Sequence, residues 1–355
     1  MDGLKVSGDT SAFEVAAVLD GAGRLTGACA RAALASMETH GLVILTGLLS
    51  DAEADLAAGL IRETIDDSAR NRCAFASQTD NRYRRRDFCS LPATPAVMGL
   101  AATLARRLEE VIAHYCAPDH PLLEVTTLTS YAGSSHQYVH RDPSGVISLF
   151  AAVEDVSAAQ GGTVFVPGTQ VFPGAAKKHG AAAEAQMELI RARWNVRILA
   201  HNLKKLWAMR NSRETPLAPG EFRDRVFSTH WDEHQPNLLR FLIGKNPVFS
   251  VRTLTPGTVW RLIREGRALD ARFPVVSTAP RKGTVILYQS DMLHAGPDNR
   301  SPVPRRLFSM SIAREAMDEK RWHAGYSPHP GLIERPMSFG DLLKLGQAAE
   351  GAMAD

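Results

Sequence analysis

Three side chains in this sequence are of types that bind a transition metal, and two of them come from one short stretch. In His140-Arg141-Asp142 an imidazole and a carboxylate stand two residues apart. Successive side chains of an extended strand alternate between its two faces, so His140 and Asp142 are expected to point the same way. His294, which follows the apolar run 285–288, can supply a third ligand. Two histidines and one carboxylate form the ligand set of non-heme Fe(II) oxygenases, which leave further metal positions open.

The H-x-D motif is short and common, so the elements around it have to support the assignment. The sequence contains 12 histidines. His136, four residues before His140, could compete for the role of ligand. The stretch is therefore a metal site only if its surroundings form a fold that can hold one.

Composition indicates an ordinary globular protein. The chain has 355 residues, of which 45% are hydrophobic and 22% charged, which is enough for one large domain or two modest ones. A net charge of +3 is too close to balance to indicate a surface for duplex nucleic acid. The four cysteines show no metal-binding spacing, and no signal-peptide pattern or membrane-length apolar run is present. We therefore expect a cytoplasmic protein, and composition supports neither a nucleic-acid nor a membrane partner.

The N-terminal third is expected to form helices and one strand. The run 41–47, Gly-Leu-Val-Ile-Leu-Thr-Gly, predicts a buried strand bounded by glycines. Ser50 and Glu53 have the spacing of a capping box, which predicts a helix start directly after that strand. A second helix should begin at Thr94-Pro95, because threonine is a good N-cap and proline fits the first helical turn.

The pattern then changes to short strands separated by turns. Many short strands punctuated by glycine and proline are typical of an antiparallel barrel or jelly roll, which holds ligands in its mouth. The strand-like runs lie at 124–129, 137–142, 146–153 and 161–168, near 249–254, and at 283–288 and 305–312.

A segment at about 172–249 interrupts this pattern. It holds a predicted helix at 181–194, a series of basic residues, and a proline-glycine stop at 216–220. An insertion of this length is usually a lid or an interface, and a solvated pair of surface helices is an equally open interpretation. Its tryptophans could line a pocket for a large apolar molecule or could simply pack.

Four separated pieces of the sequence share motifs with one enzyme family. They are the strand and helix start at 41–50, the stretch 133–142, the Pro-Gly segment at 161–170, and the block 294–306 with its His-Ala-Gly-Pro and paired arginines. With these pieces the chain resembles the phytanoyl-CoA dioxygenase family of Fe(II)- and 2-oxoglutarate-dependent oxygenases.

The resemblance implies that His140, Asp142 and His294 hold Fe(II) and that 2-oxoglutarate is the co-substrate. In the family, an arginine about eleven residues beyond the distal histidine binds the remote carboxylate of 2-oxoglutarate, and Arg305 stands there. A planar guanidinium suits this task because it can grip a carboxylate bidentately. By the same resemblance Gln137 should hydrogen-bond the co-substrate. On a regular strand Gln137 and His140 would face opposite ways, so this role requires a bulge or a bend.

Two other arginines and two departures from the family bear on this assignment. Arg306 would face the other side of the strand from its neighbour, and Arg300 lies in a predicted turn. Thr169-Gln170 stands where the family usually has Ser-His. The segment between the second and third candidate ligands is longer than the family leads us to expect, because it contains the insertion.

Together, these features predict a single domain over residues 1–355, mainly β with flanking helices: a double-stranded β-helix, that is, a cupin-like jelly roll. Residues 1–120 would hold the N-terminal helices and the first strand. Residues 121–313 would form the jelly-roll core with a helical insertion at 172–249, and 314–355 a C-terminal tail.

The implied reaction is oxidation, in the simplest case hydroxylation, of a C–H bond in a small organic molecule, with O2 consumed and succinate and CO2 released. A natural-product intermediate, an amino acid or an acyl compound would fit. Related halogenases lack a carboxylate at the position of Asp142, so the resemblance implies hydroxylation or another oxidation, such as desaturation or ring formation, rather than halogenation. Three alternatives stay open: an oxygenase that does not use 2-oxoglutarate, a nucleic-acid demethylase, and a non-catalytic binding module on the same fold. Arg305 weighs against the first, and nothing in the sequence indicates an oligomeric state.

Overall fold

A computed structural model of the chain describes residues 4, 6–66, 83, 85–142, 145–170, 180–214, 216–227, 254–314 and 329–354. Within these residues the strands form a seven-stranded and a three-stranded sheet. The strands are β1 (Glu14–Ala16), β2 (Leu42–Thr46), β3 (Arg86–Ser90), β4 (Leu122–Ser130), β5 (Val146–Ala152), β6 (Val164–Phe165), β7 (Val276–Ser277), β8 (Val285–Gln289), β9 (His294–Ala295) and β10 (Arg305–Ala313).

The order of the strands is that of a jelly roll. The large sheet runs β1-β2-β8-β5-β10-β4-β3, and the small sheet runs β7-β6-β9. His140 forms an antiparallel bridge with His294, which adds the stretch 136–140 to the small sheet beside β9. From β4 onward the chain therefore crosses repeatedly between the two sheets. This arrangement is the double-stranded β-helix predicted from the sequence.

Helices cover the outside of the barrel. They are α1 (Gly27–His40), α2 (Asp51–Asp66), α3 (Pro95–Arg107), α4 (Glu109–Ala113), α5 (Gly180–Arg210), α6 (Glu221–Phe227), α7 (Pro256–Arg272), α8 (Pro330–Glu334) and α9 (Phe339–Ala354). None of the helices in the described part of the chain is long and apolar enough to cross a membrane.

Both predicted helix starts are confirmed. The Ser50 backbone N–H donates to Glu53 Oε2 at 2.8 Å, and the Glu53 N–H donates to Ser50 Oγ at 3.3 Å, so the capping box is complete. Thr94 Oγ1 accepts from the Val97 N–H at 3.3 Å, with Pro95 in the first turn of α3. These local hydrogen bonds satisfy backbone donors that a helix leaves unpaired at its N-terminus.

The large sheet separates two layers of the core. On β2, Val43 and Leu45 pack outward with the helices, whereas Leu42 and Ile44 face the interior of the barrel. Strand β10 follows the same two-residue period, with its even-numbered residues 308, 310 and 312 in the outer core. Its odd-numbered residues are therefore directed into the barrel, which places a row of polar side chains inside.

The insertion is more helical than predicted. The predicted helix at 181–194 is part of α5, which is 31 residues long and ends at Arg210. Helix α7 was not predicted, although Thr255-Pro256 begins it with the same N-cap and proline pair as α3. Apart from residue 254, the predicted strand at 249–254 lies outside the described residues.

Candidate active site

The three predicted metal ligands meet inside the barrel. Their ligand atoms all lie within 4.8 Å of one another. The cross-strand bridge explains this meeting, because His140 and His294 exchange two backbone hydrogen bonds of 3.0 Å each and stand side by side. Their ring centroids are 4.6 Å apart. Asp142 Oδ2 lies 3.4 Å from His294 Nε2, and Asp142 Oδ1 lies 3.9 Å from His140 Nε2.

Hydrogen bonds orient both imidazole rings for metal binding. His140 Nδ1 lies 2.8 Å from the Tyr138 carbonyl oxygen, and His294 Nδ1 lies 2.8 Å from the Met292 carbonyl oxygen. A carbonyl can only accept, so each Nδ1 carries the proton and each Nε2 offers its lone pair toward Asp142. Backbone acceptors on the distal nitrogen are the usual support of metal-bound histidines.

The protonation tendencies of the two histidines differ. Burial, with the neighbouring His294, lowers the pKa of His140 to about 4, which keeps its ring neutral. Burial alone would lower the pKa of His294, but the Asp142 carboxylate and the Met292 carbonyl raise it above its usual value. A proton therefore competes with a metal ion for the place between His294 and Asp142.

A cavity of about 60 Å³ joins the three residues to the barrel interior. A site for one water molecule needs a cavity volume of roughly 10–15 Å³, so this cavity is several times larger than a water site. Its walls mix apolar and polar groups and include Phe88, Leu128, Phe150, Leu307 and Ser309.

Arg305 lines this cavity and is 2% exposed. Its guanidinium donates to three neutral oxygens: the carbonyls of Gly161, at 2.8 Å, and Gly162, and the Ser130 hydroxyl, at 3.0 Å. Its Nε finds no acceptor among the described residues. Burial, together with the like charge of Arg86, lowers the pKa of Arg305 to about 9. No carboxylate in the described part of the chain neutralises this cation.

Gln137 also lines the cavity, because the stretch that carries it has a bulge. The Gln137 N–H donates to the Gly296 carbonyl and the His140 N–H to the His294 carbonyl. The four residues from Gln137 to His140 thus lie opposite the three residues from His294 to Gly296, and the extra residue turns both side chains inward. Gln137 Oε1 accepts from the Gly296 N–H at 2.7 Å, so that oxygen already supports the backbone beside His294. Its role toward a co-substrate stays a prediction.

The competing candidates do not join the site. His136 Nδ1 bonds to the Gln137 carbonyl, and the His136 ring lies 6.3 Å from that of His201, away from the other ligands. Arg306 is directed to the opposite side of β10, where it pairs with Glu154 at 3.2 Å. Arg300 is exposed. Of the three arginines considered, Arg305 is therefore the one placed to bind an anion inside the barrel.

Helix α5 holds the edge of the small sheet, which the sequence analysis did not predict. Asn195 Oδ1 accepts from the Val139 N–H at 2.7 Å, and Asn195 Nδ2 donates to the Val139 carbonyl at 3.0 Å. Asn202 makes the same pair of bonds with His136, at 3.1 and 2.8 Å. Both amides are buried and, among the described residues, take the place of a neighbouring strand at this edge. Their seven-residue spacing on one helix face is the only local sign of this role.

Glu124 is a second residue that the sequence analysis missed. It is buried in β4 and lines the cavity beside the triad. The available signal was a lone charged side chain in the strand Leu-Leu-Glu-Val-Thr-Thr-Leu-Thr-Ser.

Comparison with known proteins places the chain near several solved structures. One is the non-heme alpha ketoglutarate dependent epimerase SnoN from nogalamycin biosynthesis, in complex with Fe3+, alpha ketoglutarate and nogalamycin RO. It is 15% identical over 81% of this chain and 85% of that chain, with a TM-score of 0.48. EctD from S. alaskensis with 2-oxoglutarate and 5-hydroxyectoine is 14% identical over 87% of this chain and 83% of that chain, with a TM-score of 0.47. HygX from Streptomyces hygroscopicus with nickel and 2-oxoglutarate is 16% identical over 83% of this chain and 90% of that chain, with a TM-score of 0.42.

At these identities and TM-scores the likenesses assign no reaction to this chain. No protein-family model matches the sequence, and no curated protein matches it. Membership of the phytanoyl-CoA dioxygenase family therefore stays a prediction that rests on the four motifs.

Proposed function

We propose that this protein is an Fe(II)- and 2-oxoglutarate-dependent oxygenase that hydroxylates a C–H bond of a small organic molecule, with O2 as the second substrate. The observation that carries the proposal is the buried cation of Arg305 in one cavity with His140, Asp142 and His294. An uncompensated buried charge is costly. A ligand with a carboxylate at one end and metal-binding oxygens at the other would satisfy both ends of this cavity.

The residues present fit these groups. Neutral His140 and His294 with one carboxylate leave three of six positions around Fe(II) for other ligands. Arg305, with the Ser130 hydroxyl at its side, would bind the remote carboxylate of 2-oxoglutarate. When bound, Fe(II) and 2-oxoglutarate supply the activation of O2, and the co-substrate is converted to succinate and CO2.

The rest of the cavity orients the substrate and limits access of water. Phe150 and Leu307 are buried and line it, so a bound substrate would meet apolar walls near the metal. Excluding water strengthens the electrostatic contacts within the site and suppresses side reactions. Asp142 would hold one metal position, which favours hydroxylation or another oxidation over halogenation.

An anaerobic titration of the metal-free protein with Fe(II) and 2-oxoglutarate tests this function. We expect the weak visible charge-transfer band of the metal chelate to appear. The Arg305→Ala variant should need on the order of 10 to 100 times more 2-oxoglutarate, because it loses hydrogen bonds between charged groups. Arg306→Ala is the matched control: its side chain is directed to Glu154 outside the cavity, so its titration should equal that of the wild type.

Three results would count against the proposal. Fe(II) could bind without any band, the two arginine variants could behave alike, or Asp142→Ala could bind Fe(II) as tightly as the wild type. Hydroxylation itself is tested by incubation with a compound panel, in which succinate release must accompany a product heavier by one oxygen atom.

A further inference from the structure

Glu124 is a buried acid that the proposed function does not use. Its side chain is 8% exposed and lines the cavity beside the triad. The Ser311 hydroxyl donates to Glu124 Oε1 at 2.9 Å, and the same hydroxyl lies 2.9 Å from that of Ser148. No basic side chain among the described residues forms an ion pair with Glu124. The barrel thus holds an acidic group whose only protein partner in that part of the chain is a neutral hydroxyl.

Electrostatics agree with this geometry. Burial, opposed by the Ser311 hydrogen bond and reinforced by the charge of Asp142, raises the pKa of Glu124 to about 7. The ionised carboxylate therefore lacks a counter-charge within the described structure. A cation arriving next to it would restore the balance, since opposite charges at short range favour the charged form of each group.

Glu124 and Arg305 mark opposite ends of the cavity. On the ladder between β4 and β10, Arg305 stands opposite Ser130, whereas Ser311 stands opposite Glu124. Six residues of strand separate the two ends, which is about 20 Å between backbones. The His294 ring lies 5.3 Å from the Tyr288 ring, and Tyr288 stands opposite Ser148 on the neighbouring strand. The Ser148 hydroxyl lies 2.9 Å from that of Ser311, so the triad lies toward the acidic end.

The position of the co-substrate then determines which ligand can contact Glu124. In the proposed function 2-oxoglutarate extends from Arg305 to the metal, on the basic side of the cavity. The acidic side is left for the substrate. Aromatic rings border that side: Phe150 and Tyr288 line the cavity, with their ring centroids 5.1 Å apart and their planes tilted by 32°. A cation is attracted by the faces of such rings as well as by a carboxylate.

We propose that Glu124 binds a protonated amine of the substrate, so that the substrates of this protein are small organic molecules that carry a basic nitrogen. The inference rests on the proposed function, from which it takes the positions of the metal and the co-substrate. No covalent bond is made or broken in this contact. The protonated amine donates N–H hydrogen bonds to the carboxylate, and a neighbouring C–H bond of the substrate would face the metal.

Paired probes test the charge preference directly. The protein is loaded anaerobically with Co(II) and 2-oxoglutarate, and the proton relaxation of each probe caused by the paramagnetic ion is measured by NMR. The probes are benzylamine, cyclohexylamine and isobutylamine, each compared with its alcohol of the same shape. For at least one pair we expect the protonated amine to bind about tenfold or more tightly than the alcohol.

Two variants assign the preference to its residue. Glu124→Gln keeps the size of the side chain and an oxygen for the Ser311 hydroxyl, and it should remove the difference between amine and alcohol. Thr126→Val, two residues along the same strand and also buried, should retain it. The proposal is overturned if no pair shows a preference for the amine, or if Glu124→Gln keeps that preference. Failure of the proposed function is distinguishable, because Co(II) and 2-oxoglutarate would then not bind in the first step.

Discussion

The two sheets of the barrel contribute to the site in different ways. In the large sheet, β10 is hydrogen-bonded along its length to β4 on one side and β5 on the other. It supplies Arg305 from the end of the β4 ladder, whose register is regular as far as Ser311. In the small sheet, β6, β7 and β9 have two residues each. The stretch with His140 is joined to this sheet by the two bonds of the His140–His294 bridge and by the bond from the Gln137 N–H to the Gly296 carbonyl. The histidine ligands therefore come from the sheet with the fewer backbone bonds.

The difference shows how the protein supports its candidate metal site. The outer edge of the stretch 136–140 is paired with the Asn195 and Asn202 amides of α5 instead of a further strand. Buried backbone groups need partners, and here side chains provide them. The α5 part of the insertion is accordingly an integral support of the site, so that interpreting it only as a solvated surface helix is wrong.

The largest effect is expected from Asn195→Leu. This change leaves the Val139 N–H and carbonyl buried without partners, and each such group costs about 1–3 kcal/mol. We expect the free energy of unfolding of the metal-free protein to fall by about 2–6 kcal/mol, measured in urea. Loss of support next to His140 should also weaken Co(II) binding by about tenfold, as is typical for groups that orient metal ligands.

Thr127→Val is the matched change in the large sheet. Thr127 Oγ1 donates to the Leu307 carbonyl at 3.0 Å, and this bond is additional to the backbone ladder between β4 and β10. Its loss should cost about 1 kcal/mol and leave Co(II) binding unchanged. Equal costs for Thr127→Val and Asn195→Leu would show that the two sheets do not differ in the way described here.

The second-largest effect is a loss of stability at acidic pH, caused by buried histidines beside the small sheet. Burial lowers the pKa of His136 to about 4, and that of His140 also to about 4, from a usual value of 6.5. Between these values the unfolded chain binds protons that the folded protein does not. Stability must therefore be lost as the pH falls from 6.5 toward 4, with roughly 3 kcal/mol from His136.

The check is the slope of the unfolding free energy against pH over this window. Unfolding of His136→Gln should take up about one proton less than unfolding of the wild type in this window, and so the slope should be flatter. His294 has a raised pKa and acts in the opposite direction above pH 6.5, outside the window. An unchanged slope in His136→Gln would show that His136 is not buried in its neutral form.

The smallest effect is expected from Ser50→Ala, far from the small sheet. It removes the hydroxyl that accepts from the Glu53 N–H at the start of α2. Loss of an N-cap costs about 1 kcal/mol, and thermal unfolding should detect it. Co(II) affinity should stay at the wild-type value, and a weaker affinity would mean that the helix layer is coupled to the metal site more closely than the contacts indicate.

The sequence by itself determined the features that depend on short spacings. The two-residue period of strands placed His140 and Asp142 on one side, and the same period separated Arg305 from Arg306. The helix starts at Ser50 and Thr94 followed from capping chemistry that acts within three residues. The jelly roll followed from many short strands with turns between them.

Only the tertiary structure decided how distant residues meet. Asn202 bonds to His136 across 66 residues of chain, and Ser311 bonds to Glu124 across 187. The local signs, an amide spacing of seven residues on one helix and a lone acid in a strand, do not say which group each side chain will meet. Any buried amide or hydroxyl can satisfy any backbone or carboxylate group that packing brings to it. The bulge that turns Gln137 inward likewise depends on its pairing with β9. Short-range stereochemistry therefore sufficed to predict the candidate ligands, whereas the cavity around them depends on long-range packing.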